Sequence, residues 1–327
     1  MKIVDRFTPT VGARVIAALG NFDGVHCGHQ EILRRAVASA RAQGGSSLVI
    51  TFQPHPLQVI APGVGFLSLS DFAEKPRLIA AVGVDHLLQI AFTPAFAAQT
   101  PDEFVRRTLV EQIGVREVFV GENFAFGRGR SGTVADLASL GEKYGFVVQI
   151  VPTVLVDGVA VSSSRIRNDL QSGQVRPAAA LLGRRYRLDG PVVPGSGRGQ
   201  ALGYRTANIA PPAGRVVPKD GIYATWVEVE GGCHASVTYI GRRPTFGAGD
   251  RLIEAHLLAG ASDLYQRNVA IEFVDWIRDD AAFSGPEALA QQIAADVRQA
   301  EVILRPSSAG REAPSGPVAL PGTRRKG

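Results

Sequence analysis

The feature that most limits the fold is a change of rhythm near Gly183. Before it, short apolar runs alternate with helical periodicity. After it, short runs follow one another across turns. Val15–Leu19 reads as a buried strand. A helix is predicted over 29–41, where Leu33, Ala36, Val37 and Ala40 recur at i, i+3, i+4 and i+7 and Gly44 supplies the stop. Strands are predicted at 48–52, 85–90, 117–120 and 146–151. Helices are predicted from Asp71-x-x-Glu74, with Pro76 in its first turn, from Thr100-Pro-Asp-Glu103, and over 134–144. Such alternation implies a parallel sheet covered on both faces. Beyond Gly183 the runs 222–229, 235–240, 253–258 and 269–277 are divided by Gly-, Pro- and Asp-rich turns, as in an antiparallel sheet or small barrel. One helix closes the pattern, with Ser284-x-x-Glu287 as its cap and Leu289, Ile293, Val297 and Leu304 on its buried face. The 327 residues thus divide into domains at 1–183 and 184–305, and a disordered basic tail at 306–327, where Pro, Ser, Gly and Arg dominate.

Composition narrows the class. Hydrophobic residues are 45% and charged residues 20%, the balance of a soluble globular protein. No run of about 18 apolar residues exists, which argues against a membrane partner. The start, Met1-Lys-Ile-Val-Asp5, lacks a secretory signal, so a cytoplasmic location is expected. Cys27 and Cys233 make neither a disulfide framework nor a CxxC zinc pair. The net charge of +5 is drawn largely from Arg311, Arg324, Arg325 and Lys326 in the tail, so no nucleic acid is expected as partner. Nothing marks an obligatory protein partner.

Gly20-Asn-Phe-Asp-Gly-Val-His26-Cys-Gly-His29 leaves the first strand, turns through glycines and enters a helix. A helix start offers free N–H groups and a positive dipole end, so phosphate is a natural ligand there. His26 and His29 stand three residues apart, so both imidazoles can donate to one phosphoryl oxygen as charge develops. A metal site is the rival, but it needs Cys27 turned away and a third ligand from elsewhere. Val161-Ser-Ser-Ser-Arg-Ile-Arg167 places three hydroxyls and two guanidinium groups before a helix over 166–171. That suits a second anion site, and equally a helix start rich in caps. Gly127-x-Gly129-x-x-Gly132 has the GxGxxG spacing of dinucleotide folds, yet the strand ends near Val120 and Asp157 lies too far on. No GxxxxGK[ST] occurs.

Taken together, residues 20–29, the TFQPHP of 51–56, the GENFAFGRGRSG of 121–132 and the VSSSRIR of 161–167 resemble the FAD synthetase module of the prokaryotic bifunctional riboflavin kinase/FAD synthetase family, an HxGH nucleotidyltransferase. Residues 195–209, GSGRGQALGYRTANI, resemble the kinase module of that family, with support from 219–224, 241–246 and 263–265. The resemblance implies a Rossmann-like parallel α/β domain followed by a small antiparallel β-barrel with a C-terminal helix. It implies riboflavin, FMN and ATP as substrates, FMN and FAD as products, and Mg²⁺ as cofactor. It makes His26, His29 and Glu254 catalytic. Asn21, Phe22, Gly24, Ser163, Ser164 and Arg167 would bind ATP, and Asn123 the flavin or adenine. In the kinase module Gly197, Gly199, Thr206 and Asn208 would hold phosphates, the last two also Mg²⁺. Arg205 stands where the family has proline, and residues 259–262 depart from its usual acidic-aromatic ending. Two other readings stay open: a monofunctional FMN adenylyltransferase whose kinase-like barrel only binds flavin, and a transferase for another acceptor, since HxGH alone is shared. By spacing alone, Glu254 reads as readily as a solvated strand residue.

Overall fold

A computed structural model describes residues 1–7, 12, 14–194, 206–229, 232–242, 251–258, 264 and 267–305. The chain forms two compact units, Met1–Ser163 and Ser164–Gly327. The expectation of a disordered tail over 306–327 falls outside the described residues.

The first unit is built on a six-stranded parallel sheet. Its strands are β1 (Lys2–Val4), β2 (Val15–Leu19), β3 (Ser46–Gln53), β4 (His86–Ala91), β5 (Val115–Gly121) and β6 (Val147–Val151), in the spatial order β1-β4-β3-β2-β5-β6. β2 is apolar throughout because both its faces are covered. Ile16 and Ala18 pack with Leu33, Ala36, Val37 and Ala40 of helix α1 (Cys27–Ala42). Val15, Ala17 and Leu19 pack on the other side with Val105, Leu109, Ile113 and Leu137. Each such Leu or Ile contributes roughly 1.5–3 kcal/mol by leaving water.

From β2 the chain builds outward to β3 and β4, then crosses back to place β5 on the other side of β2. Ligands of open α/β sheets bind at such a reversal, outside the carboxyl ends of the strands. Here that point lies above β2 and β5.

Local signals explain most boundaries. The Thr100 capping box forms as expected, with Pro101 in the first turn of the helix Pro101–Phe104, which continues in wider π-type turns to Ile113. Two helix starts in the first unit differ from expectation. α1 begins at Cys27 rather than at residue 29, because His26 itself is the cap: its Nδ1 accepts from the His29 N–H at 3.2 Å. The helix after Asp71 begins at Glu74, running to Ala81, because the Asp71 carboxylate accepts from the Ala73 and Glu74 N–H groups and holds a turn first. The Gly127–Gly132 segment is no dinucleotide fingerprint. It is a short helical turn at Arg128–Arg130, and a Cβ at Gly127 would stand 2.8 Å from Pro101.

The second unit opens with the helices Ser163–Gln171, which starts three residues before the expected 166 and reaches back one residue across the division, and Val175–Leu182. It then closes a six-stranded antiparallel barrel. The barrel strands are Tyr186–Val193, Thr206–Ile209, Gly221–Val229, Gly232–Arg242, Arg251–Leu257 and Asn268–Arg278. The first two were not foreseen. Gly190 and Pro191 interrupt the first as a sequence pattern, since proline lacks a ladder donor. The second, only four residues long, reads in sequence as part of a phosphate loop. Inside the barrel Thr225, Ser236 and Thr238 are wholly buried and hydrogen-bond one another at 2.7–3.2 Å.

The closing helix, Pro286–Leu304, packs Val297, Ala300, Ile303 and Leu304 on the barrel. The expected Ser284 cap is absent. Gly285 takes the cap position with no side-chain bond, and Pro286 opens the first turn. Buried Asp296 accepts both arms of Arg278 at 2.9 and 2.7 Å, tying helix to strand.

Candidate active sites

In the first unit the motif loop leaves β2 in a strained path. Phe22 and Val25 have φ of 48° and 41°, and both side chains are wholly buried. A non-glycine residue in that region costs on the order of 1–3 kcal/mol and persists only when its surroundings over-determine it. Here they do. Asp23 accepts the backbone N–H groups of Leu69 and Ser70 at 2.9–3.3 Å. Gly24 donates its N–H to Ser70 Oγ at 3.0 Å. The Asn21 carbonyl accepts from Thr51 Oγ1 and from Lys75 Nζ, each at 3.1 Å. Ser163 Oγ, 140 residues on, donates to the Asp23 carbonyl at 3.0 Å. The histidine loop and the middle hydroxyl of the serine stretch therefore do meet.

The imidazoles of His26 and His29 stack at 3.6 Å and 15°. Because His26 Nδ1 accepts a hydrogen bond, its proton sits on Nε2. His29 lies edge-on to Phe22 at 5.2 Å. Burial, then the charges of His26 and Lys75, hold its pKa well below the ordinary histidine value, so it is neutral near pH 7. Its Nδ1 is buried without a hydrogen-bond partner. Cys27 is buried, and among the described residues no three His, Cys, Asp or Glu side chains gather as a metal site. Phe22 offers the site only its backbone, and the Gly24 N–H is taken by Ser70. Ser164 is exposed and Arg167 half-buried in the first turns of their helix, which belong to the second unit.

Sequence reasoning missed the cavity beside this loop. It measures about 210 Å³ and is lined by Asn21 and Asn123 together with six phenylalanines: Phe52, Phe92, Phe96, Phe104, Phe124 and Phe126. Its walls come from β3 and from the segments that follow β2, β4 and β5, at the sheet's reversal point. Asn123 stands exposed at its rim, with Nδ2 3.5 Å from Thr153 Oγ1. The only sequence signal was the recurrence of Phe just at or beyond strand ends.

In the barrel Asn208 lies directly opposite Glu254, and Thr206 opposite His256, so these four share one face of two paired strands. Tyr239 flanks Glu254 on the other side. Asn208 Oδ1 is buried with no hydrogen-bond partner. An orphaned hard oxygen beside a threonine hydroxyl two residues away suits magnesium, which takes oxygen ligands. Gly197, Gly199 and Arg205 lie outside the described residues.

Comparison with known proteins decides the family. A model of the FAD synthetase family matches residues 9–165, and one of the riboflavin kinase family matches residues 182–304. A bifunctional riboflavin kinase/FMN adenylyltransferase from Pseudomonas fluorescens is 38% identical over 90% of this chain and 94% of its own. The chain belongs to that bifunctional family. Its counterpart from Escherichia coli K12 is 36% identical over 86% of this chain and 90% of its own. A solved chain described as a macrolide-efflux protein from Streptococcus pneumoniae is 30% identical, with a TM-score of 0.83 over 91% of this chain and 98% of that one. Both modules of the bifunctional family are thus present here, and the monofunctional alternative finds no support. Among the described residues no helix is long and apolar enough to cross a membrane.

Proposed function

We propose that this chain makes FAD from riboflavin in two steps, at two separate sites. In the barrel, the 5′-hydroxyl oxygen of riboflavin attacks the γ-phosphorus of ATP. The hydroxyl proton passes to the Glu254 carboxylate, and ADP leaves with FMN as product. Thr206 and Asn208 would hold Mg²⁺, which neutralises phosphate charge when bound. Gly197 and Gly199 would let the backbone approach the phosphates. In the first unit, a phosphate oxygen of FMN attacks the α-phosphorus of a second ATP. The bond to the β-phosphate oxygen breaks, leaving FAD and pyrophosphate.

The second step needs no strong base, because FMN phosphate is already an anion. Its catalysis comes from positioning and from fixed donors. His26 and His29 are the imidazole donors of the loop, and His29, being neutral, adds no charge. Asn21 and Ser163 complete the nucleotide contacts within the first unit, and the phenylalanine cavity takes the flavin rings with Asn123 at its edge. The observation that carries this reading is Asn21: one residue both opens the histidine loop and lines the aromatic cavity, so reacting phosphates and rings lie side by side. The functional modules run over 1–183 and 184–305, and the enzyme works in the cytoplasm, without nucleic acid, membrane or protein partner.

Incubation with riboflavin, ATP and Mg²⁺, read by chromatography, tests this. FMN should appear first and FAD follow. Absence of FMN would remove the kinase step. FMN without FAD would remove the adenylyl step.

A further inference from the structure

One buried cation in the first unit has no place in that account. Lys75, in the first turn of the helix Glu74–Ala81, is only 9% exposed. Its Nζ donates to the Asn21 carbonyl oxygen at 3.1 Å, beneath the loop that carries the histidines. An ammonium has three donors, and among the described residues this carbonyl is the one acceptor it meets. Asp23 favours its charged form, but the Asp23 carboxylate is bound to the Leu69 and Ser70 N–H groups. Burial pulls the other way and holds the ammonium below the ordinary lysine range. Burying an incompletely paired cation is unfavourable. A purely structural position would be filled more stably by a methionine or leucine. The group lacks acceptors, and the ligand class that supplies several at once is a polyphosphate.

We propose that Lys75 is a further phosphate-contacting residue of the adenylyltransferase site, held on the Asn21 carbonyl and donating its remaining N–H bonds to the polyphosphate of ATP and to the departing pyrophosphate. This rests on reading the first unit as the adenylyltransferase, and it adds what that reading lacks there. His26 and His29 act as donors, whereas negative charge grows on the pyrophosphate oxygens as the α-phosphorus–oxygen bond breaks. A fixed cation answers that growth, and an interaction stronger in the transition state than before it raises the rate.

The test compares full-length wild type with Lys75→Met and Lys75→Arg. Four quantities are measured: kcat and KM for FAD formation, pyrophosphate affinity by calorimetry, riboflavin phosphorylation, and Tm. Lys75→Met should lower kcat/KM for ATP by about 10²–10³-fold and weaken pyrophosphate binding by roughly tenfold or more. Its Tm should equal or exceed that of wild type, and its riboflavin phosphorylation should match it. Lys75→Arg should recover most of the lost pyrophosphate affinity. Wild-type pyrophosphate affinity in Lys75→Met overturns the proposal. So does a loss of activity that comes only with a fall in Tm, which would make Lys75 a structural strap. Wild type that forms no FAD would sink the adenylyltransferase reading itself. FAD formed equally by wild type and Lys75→Met sinks the lysine alone.

Discussion

The two proposed phosphate sites are held in place by different means. In the first unit the reactive groups hang from an irregular loop with two strained residues, Phe22 and Val25, braced by Asp23, Thr51, Ser70 and Ser163. In the barrel, Thr206, Asn208 and Glu254 stand on paired strands, where register alone sets their spacing. A loop brings backbone N–H groups and imidazoles close to a phosphate, at the cost of strain that distant contacts must offset. A strand pair positions side chains with no strain but supplies few donors of its own. The adenylyl site should therefore be sensitive to substitutions in its braces, and the kinase site mainly to the groups that touch substrate.

The sharpest way to break this contrast is Glu254→Ala. It should lower FMN formation by about 10²–10⁴-fold, while FAD formation from supplied FMN continues at the wild-type rate. Kinase turnover unaltered in this variant would mean that the strand pair does not carry the base.

A smaller effect is expected within the barrel wall. Thr225→Val removes one member of the buried hydroxyl trio, and calorimetry should show a loss of about 1–2 kcal/mol. Kinase turnover at room temperature should hold, since the ladder still fixes Asn208 against Glu254. A large fall in turnover without a fall in Tm would erase the distinction between wall and site.

The smallest effect concerns pH. The folded-state pKa of His29 lies below its unfolded value, chiefly through burial. The unfolded chain then takes up the proton first. The contribution to stability is complete above about pH 6.5 and is lost as pH falls from there toward the folded-state value. Wild type should lose more Tm than His29→Gln on going from about pH 7.5 to about pH 5. Equal losses would mean that His29 is not buried neutral.

Much of this architecture was readable in the sequence, for identifiable reasons. β2 is apolar at every position, and Thr100-Pro-Asp-Glu103 carries every part of a helix start. The histidine loop announced itself because glycines, a strand end and a helix start fall within ten residues. What stayed hidden was long-range or disguised. The phenylalanine cavity is assembled from segments spread over residues 52–126, and no single one of them looks like a pocket. The strand Tyr186–Val193 hid behind its Gly-Pro pair. Lys75 hid because a lysine in an amphipathic stretch reads as surface. The cap of α1 hid because histidine is not among the usual capping residues, and only the fold shows its Nδ1 aimed at the third N–H.

The claim on which the rest depends is that adenylyl transfer and phosphorylation occur at separate centres, and His29→Ala addresses it most directly. Given riboflavin, ATP and Mg²⁺, that variant should accumulate FMN at the wild-type rate and form FAD about 10²–10³-fold more slowly. If FMN and FAD formation fell together in a variant whose Tm matched wild type, the two-centre account would be contradicted.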